Sequence, residues 1–499
     1  MGIKSFLAKP AASFLSWQQN QWANNAVTAQ KTIFKHNIRM ASATDFGRNH
    51  HFGEIQTYQD FKERVSVRDY EGLKPYFDKV VEGKANVLWP NKPLYFAKTS
   101  GTTSGVKYIP ITKESVSFHF NSARNAVFSY IHESGNASFL DNKLIFLSGS
   151  PELTKTNGIL TGRLSGISNH LIPNYLRTNQ MPSYTTNCIE DWEIKLEKII
   201  EETLSERMSL ISGIPPWVQM YFDRLIEKTG KPIKDIFPDF SVFVYGGVNF
   251  EPYKEKLYDS IGKKVDSIET YPASEGFIAY QDSQHAEGML MLLNHGIFYE
   301  FVPAEEYFNN NPTRLSIEEV EVGKNYALIL NSNAGLWGYS IGDTVQFVSK
   351  NPYRIIVSGR IKHFISAFGE HVIGKEVEKA MKHGLEANAE VRIKEFSVAP
   401  QVTPPEGGTP YHEWLIAFEN PPTDIEAFAK TIDEKLCQLN IYYEDLIKGG
   451  ILKTLKITSL QADAFQHYMK SIGKLGGQNK VPRLANDRKI ADKIAEWKV

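Results

Sequence analysis

SVFVYGG, residues 241–247, is a short apolar run that stops on a pair of glycines. Its length and its turn-forming end read as a buried strand rather than a helix. The same texture recurs on either side, in LIFLSGS (144–150), SLISGIPP (209–216) and KVDSIETYPASEG (264–276). Between these runs Trp192, Leu196, Ile199, Ile200 and Leu204 repeat at helical spacing. Buried strands alternating with helices predict an α/β fold with mainly parallel sheet. Ligands in such folds gather at the carboxyl ends of strands, where these Gly and Ser endings fall.

Farther out, residues 1–90 read as mainly helical, with polar breaks near Asn49–His51 and a turn at Gly83–Lys84. From Gly288 to Val357 the runs MLMLL, IFYEFV, YALILN, TVQFV and RIIVSG follow one another with few helices between. That predicts an antiparallel or barrel-like section closing the large domain. Beyond Gly359, helical EVEKAMKHGLEA and IEAFAKTIDEKL alternate with strand-like RIKEFSVAP and EWLIAFEN, across the loop PPEGGTP (404–410). At 499 residues the chain exceeds one ordinary core. We therefore expect a large N-terminal domain of several subdomains over 1–361 and a smaller, mobile α+β C-terminal domain over 362–499.

The 56 basic and 57 acidic residues nearly cancel, which gives no footprint for nucleic acid or for an anionic membrane. Cys188 and Cys437 lie far apart, so neither a disulfide framework nor a cysteine-rich metal site is expected, and a reducing, cytoplasmic setting fits. The start, MGIKSFLAKPAASFLSWQQNQ, is mildly amphipathic through Phe6, Leu7, Phe14, Leu15 and Trp17 but lacks the apolar core and cleavage site of a signal peptide. Phe6 stands where a myristoylation pattern wants Ser or Thr. No run of 18 apolar residues occurs. The expectation is a soluble intracellular monomer.

The segment KTSGTTSGVK (98–107) carries the chemistry. Ser100, Gly101, Thr102, Thr103, Ser104 and Gly105 follow the strand-like PLYFAKT and precede the apolar step KYIPIT. Glycines let the backbone approach a ligand and turn its N–H groups inward, hydroxyls add donors, and Lys98 or Lys107 supplies positive charge. That combination suits a polyphosphate. It is not a P-loop, which needs four residues between its glycines and then Gly-Lys-Ser/Thr opening a helix. Here Gly101 and Gly105 enclose three, and Tyr108 follows Lys107. A surface loop has the same composition, so the loop alone leaves both readings open.

SGTTSGVKYIP (100–110) resembles the first signature of the adenylate-forming superfamily, which includes acyl-CoA synthetases and firefly-type luciferases. The remaining motifs are similar to one branch, the auxin-conjugating Gretchen Hagen family of acyl-acid amido synthetases. ETYPASEG (269–276) resembles that family's Tyr-Ala-Ser-Ser-Glu motif, and FYEFVP (298–303) its Tyr-Phe-Glu-Phe-Ile-Pro strand. GYSIGDTVQF (338–347) is similar to its Tyr-Arg-x-Gly-Asp element, and GQNKVPR (477–483) to its C-terminal Gln-Tyr-Lys-x-Pro-Arg stretch. The matches run in the family's order from about residue 40 to 484, and the chain looks like a non-plant-like member.

The resemblance implies ATP as cosubstrate and Mg²⁺ as its metal. Joining a carboxylate to the α-phosphate of ATP brings negative charges together, which needs cations and oriented donors. Glu275 would hold Mg²⁺, a hard ion that takes oxygen ligands. Asp343 is implied to accept both ribose hydroxyls. Gly246 and Gly247, in the stretch Tyr245–Val248, would let adenine lie against the backbone with Tyr271 stacking on it, and Ser274 shares the same motif. Arg360, in VSGRIKHF, matches the Gly-Arg at the superfamily's domain junction and is implied to reach the ribose or phosphate of the nucleotide. Many members carry an acidic residue soon after that Arg, whereas Ile361, Lys362 and His363 follow here. Lys480 matches the family's catalytic lysine, with Lys474 in SIGKLGG as the nearby rival.

For the acyl pocket the candidates are Ile214, Trp217, Val218 and Met220 in GIPPWVQMYF, and Phe298 with Tyr299 in FYEFVP. Arg163, in GILTGRLSG, could clamp the substrate carboxylate. The expected reaction activates a small carboxylic acid as acyl-AMP with release of pyrophosphate, then passes the acyl group to an amino acid or other amine. Two alternatives stay open: an acyl-CoA ligase sharing the first step, and a nucleotide-binding sensor without catalysis.

Overall fold

The protein is described here from a computed structural model covering residues 2–100, 106–172, 177–189, 191–247, 250–361, 364–365, 367, 370, 372–402, 404–405, 407–450, 452–475, 480–485 and 487–499. The chain forms two compact units: the first comprises Met1–Asn249, Leu257–Ile341 and Val345–Ile356, the second Phe250–Lys256, Gly342–Thr344 and Val357–Val499. The sequence reading expects one boundary at 361, whereas the second unit gathers three pieces of chain.

The first unit begins with helices Ile3–Ala23, Ala26–Ala41, Asp45–Asn49, Tyr58–Arg64 and Tyr70–Val81. Their starts are read locally: Thr44 and Asp69 cap two of them, and Thr57 with Asp60 forms a reciprocal capping box. Strands Gln180–Met181, Lys143–Phe146, Met208–Ser212, Val242–Gly246 and Asp266–Ala273 then pair side by side, all parallel. Helix Trp192–Thr203 supplies one crossover, buried through Trp192, Leu196, Ile199 and Ile200.

A two-residue turn at Ser274–Glu275 reverses the chain, setting Gly276 opposite Ala273 and starting the antiparallel strand Gly276–Tyr280. Met289–Met291, Tyr353–Arg360, Tyr339–Lys350, Asn325–Ser332 and Ile297–Pro303 continue outward from it. This corrects the barrel-like section expected from the sequence. Among the described residues the antiparallel strands do not close on themselves. They extend the parallel ones into one eleven-stranded sheet with Ile297–Pro303 and Gln180–Met181 at its edges. Beneath lies a core of Phe46, Phe52, Phe61, Leu336 and Trp337. It encloses a buried ion pair: Arg314 donates to both oxygens of Glu300 (2.7 and 2.8 Å), which also accepts from Tyr58 and Asn331.

A separate four-stranded sheet carries the hairpin Tyr95–Ser100 and Val106–Ile111, antiparallel, with Ser100 opposite Val106. A strand rather than a helix follows the glycine-rich segment, unlike the order of a P-loop.

The second unit is α+β. Strands Arg392–Gln401 and Tyr411–Asn420 pair antiparallel, Lys456–Leu460 joins in parallel, and helices Gly374–Ala387 and Ile425–Leu439 are buried through Val377, Met381, Phe428 and Ile432.

Candidate active site

In the first unit the expected residues collect at the carboxyl ends of two neighbouring parallel strands. Val242–Gly246 pairs with Asp266–Ala273 so that Gly246 faces Thr270. A Cβ on Gly246 would lie 2.3 Å from the Thr270 carbonyl oxygen, so only glycine allows this approach. Thr270 Oγ1 closes the pair by donating to the Tyr245 carbonyl at 2.9 Å. Gly247 has φ +79°, the left-handed region, which turns the chain out of the sheet. One strand over, Tyr271 is buried, and Ser274 and Glu275 form the reversing turn, both half-buried.

An aromatic pile links that turn to the hairpin of the glycine-rich loop. The Tyr339 hydroxyl donates to Glu275 Oε1 at 3.1 Å. Burial, and then the charge of Glu275, push the Tyr339 phenol well above its ordinary range, so it remains a donor. Phe77 meets Tyr339 edge-on at 6.4 Å and stacks on Tyr70 at 4.7 Å. The Tyr70 hydroxyl accepts from the Tyr108 backbone N–H at 3.1 Å, and Lys107 Nζ lies 5.5 Å above the Tyr70 ring. Glu275 and Lys107 thus rest on common supports. Gly101, Thr102, Thr103, Ser104 and Gly105 lie outside the described residues, as does the side chain of Ser100.

The second unit brings three expected residues together. Arg360 Nε donates to Asp343 Oδ1 at 2.6 Å. Asp343 is held there by the bond from the Ile361 N–H to the Gly342 carbonyl and by Ser358 Oγ on Thr344 Oγ1 at 2.9 Å. Lys480 senses both. The protein packed around its ammonium and then the Arg360 guanidinium push its pKa down to about 8, with Asp343 pulling the other way. The residue as a whole keeps contact with water.

The chain after Lys480 is clamped. Pro482 O accepts from Ser397 Oγ at 2.7 Å, Arg483 O from the Val398 N–H at 2.9 Å, and Val398 O from the Ala485 N–H at 2.9 Å. The Arg483 guanidinium lies 4.1 Å from the centre of the Phe396 ring, pairs with Glu395, and donates to the Phe396 carbonyl at 2.6 Å and to the Tyr253 hydroxyl at 3.0 Å. Tyr253 in turn donates to Glu395 Oε2 at 2.7 Å, which ties Phe250–Lys256 into this unit.

The pocket candidates separate from these groups. Phe298 packs against Phe34 and Tyr58, and Tyr299 is wholly enclosed in the main core. Trp217 packs on Trp192 at 5.0 Å, and Val218 is buried beside Gly213. All four are buried. The residues are apolar at helix or strand spacing, and such spacing marks an inward face of either kind. Ile214 precedes helix Pro215–Thr229 and stays partly exposed, as does Met220. The Arg163 guanidinium lies over Gly149, where a side chain would collide with it, at the end of strand Lys143–Phe146.

Among the described residues no three His, Cys, Asp or Glu side chains come together to hold a metal. Glu275, oriented by Tyr339, is a single oxygen donor, which suits a Mg²⁺ whose other ligands are phosphate and water. Sequence reasoning passed over Tyr339, Tyr253 and Arg483. Tyr339 and Arg483 stand inside quoted motifs, but their partners Phe77, Glu395 and Phe396 are remote in sequence.

Three family models match the chain in order: the GH3 family N-terminal domain over residues 17–183, the GH3 family central domain over 290–360 and the GH3 family C-terminal domain over 375–489. Together they cover well over half of it. Jasmonoyl-L-amino acid synthetase JAR4 of Nicotiana attenuata is 21% identical over 354 residues, 57% of this chain and 60% of that protein. Indole-3-acetic acid-amido synthetase GH3.3 of Arabidopsis thaliana is 28% identical over 197 residues, 37% of this chain and 33% of that protein. The matched segments thus span less than two thirds of either relative. In three dimensions the chain is similar to the GH3.15 acyl acid amido synthetase, with TM-score 0.81, 15% identity and coverage of 98% of this chain and 96% of the other. It is also similar to a 2-hydroxyisobutyryl-CoA ligase holding 2-HIB-AMP, with TM-score 0.61, 12% identity and coverage of 94% and 90%. At these identities the likeness concerns the fold.

Proposed function

This chain belongs to the GH3 family, and from that premise we propose that it is an ATP-dependent acyl-acid amido synthetase. A carboxylate oxygen attacks the α-phosphorus of ATP, the bond to the β-phosphate oxygen breaks, and pyrophosphate leaves. The nitrogen of an amino acid or other amine then attacks the acyl carbon, AMP departs with the bonding electrons, and the amine gives up a proton. The observation that supports this reading is the gathering of Asp343, Arg360 and Lys480 in one unit, each in a stretch that resembles the family or its superfamily.

In this reading the segment Ser100–Gly105 and Lys107 hold the β- and γ-phosphates. Gly246, Gly247, Tyr271 and Ser274 frame the adenine. Asp343 accepts from the ribose, Arg360 orients Asp343, and Lys480 neutralises charge that develops between carboxylate and α-phosphate. Glu275 binds Mg²⁺, which when present offsets phosphate charge. Arg163 is assigned to the acid's carboxylate. Closure during turnover that brings Glu275 and Lys480 to one nucleotide is part of the proposal. The protein is placed as a cytoplasmic monomer. The adenylate is a good leaving group, so amide formation needs mainly positioning and exclusion of water.

The test is acid-dependent exchange of labelled pyrophosphate into ATP across a panel of aromatic and aliphatic acids, followed by AMP release with amino acids or with CoA. The proposal expects exchange with at least one acid and AMP release that needs an amine. AMP release with CoA in the absence of any amine makes the protein an acyl-CoA ligase instead. ATP binding with no exchange for any acid makes it a sensor.

A further inference from the structure

The helix Ile3–Ala23 inverts the usual arrangement of an outer helix. The residues it buries are small or polar: Ser5, Ala8, Ala12, Gln19 and Ala23. Its large apolar residues face out, with Ile3, Phe6, Leu7, Phe14 and Trp17 between 57% and 80% exposed. On a helical projection these five fall in a stripe about 100° wide, opposite Ala8 and Ala12. Soluble proteins turn such a stripe inward, so a continuous apolar face left outside marks an interaction surface.

The helix is fixed in this orientation from both ends. The backbone N–H groups of Gly2 and Ser5 donate to the Asp141 carboxylate at 2.7 and 3.2 Å. Gln19 Oε1 accepts from the Tyr280 hydroxyl at 2.6 Å and from Ser129 Oγ at 3.0 Å. Between these anchors Ala8 and Ala12 pack into a core with Ala126 and Tyr130. Turning the stripe inward would break all of these contacts.

We propose that this helix docks the protein onto the surface of an anionic lipid bilayer, lying in the plane of the interface with the stripe among the acyl chains. Charge selects that partner. Lys4 and Lys9 fall on the two flanks of the stripe, and no carboxylate precedes Asp45 in the chain, while Lys35 and Arg39 follow on the next helix, where Lys31 pairs with Glu318. An apolar stripe with aromatic residues and flanking lysines is the pattern of an interfacial helix, whose lysine stems reach outward to phosphate. Pairing with a second copy through this helix would bring lysines together with no carboxylate on either helix. Among the described residues no helix is long and apolar enough to cross a membrane, so the helix lies on the bilayer. The near-zero net charge, which predicts no membrane partner, averages this basic end against the rest of the chain.

Flotation of the full chain with vesicles of phosphatidylcholine alone, and with about 30% phosphatidylserine, tests the proposal. The fraction bound rises by about tenfold or more with phosphatidylserine and falls as salt is raised. Phe14→Ser with Trp17→Ser abolishes binding while the melting temperature stays within a few degrees, because both side chains are exposed. Lys4→Glu with Lys9→Glu removes the preference for phosphatidylserine. Equal flotation of wild type and the Phe14/Trp17 variant overturns the proposal, as does the absence of binding to either vesicle. A concentration-dependent dimer that the Phe14/Trp17 substitutions dissolve assigns the stripe to a second copy and likewise overturns it.

Discussion

Loss of hydration and the neighbouring Arg360 lower the Lys480 pKa to about 8, from an ordinary lysine value of 10.5. A lowered amine pKa means that the cation is present below about pH 8 and is lost as the pH rises through it. If Lys480 neutralises charge in adenylation, pyrophosphate exchange falls above about pH 8 rather than near 10. Lys480→Arg keeps a cation at every working pH, and the alkaline limb should move up. Lys480→Ala should slow exchange by at least about tenfold at neutral pH. A limb that stays in place in Lys480→Arg assigns the titration to another group. At this scale the sequence offers Asp343, Arg360 and Lys480 as candidates, each from a motif. Their grouping was not legible there, because it depends on how Val481–Ala485 lies along strand Arg392–Gln401. Tyr339 was not legible either, because what makes it useful is burial against Phe77 and a carboxylate 64 positions away.

Secondary-structure elements set where these side chains can stand, and single contacts between elements can be tested. A Cβ at Gly246 would press on the Thr270 carbonyl. Gly246→Ala should cost about 1–3 kcal/mol in urea unfolding and weaken ATP binding. Arg314→Ala leaves the Glu300 carboxylate, wholly buried, without its cation. That should cost about 3–5 kcal/mol in the same measurement. Arg483 positions Lys480 through the clamp on strand Arg392–Gln401, so Arg483→Lys should lower kcat about tenfold with KM for ATP little changed. In a Lys480→Ala background the same change should cost nothing further, and additive losses would mean that Arg483 acts elsewhere. The parallel strands and their Gly endings were read correctly because apolar runs and turn residues are local signals. The barrel-like section was misjudged because local pattern shows that strands follow one another, not whether the last one pairs with the first. Phe298, Tyr299, Trp217 and Val218 are buried, and an apolar residue on an inward face has the same spacing whether it meets a ligand or the core.

The molecule as a whole was legible as a large α/β part followed by a smaller α+β part. The pieces that Phe250–Lys256 and Gly342–Thr344 lend to the smaller unit were not, because they depend on long-range contacts such as Tyr253 with Arg483. Composition also concealed the basic, outward-facing first helix, which disappears in a balance of 56 basic and 57 acidic residues. The central claim is that both units serve one adenylation reaction, and one measurement reaches it directly. Exchange of labelled pyrophosphate into ATP is followed with an acid from the panel, in wild type, Glu275→Ala and Lys480→Ala. The account predicts acid-dependent exchange in the wild type and a loss of about tenfold or more in each variant, although each residue belongs to a different unit. Full exchange in both variants, or none with any acid in a wild type that binds ATP, would contradict it.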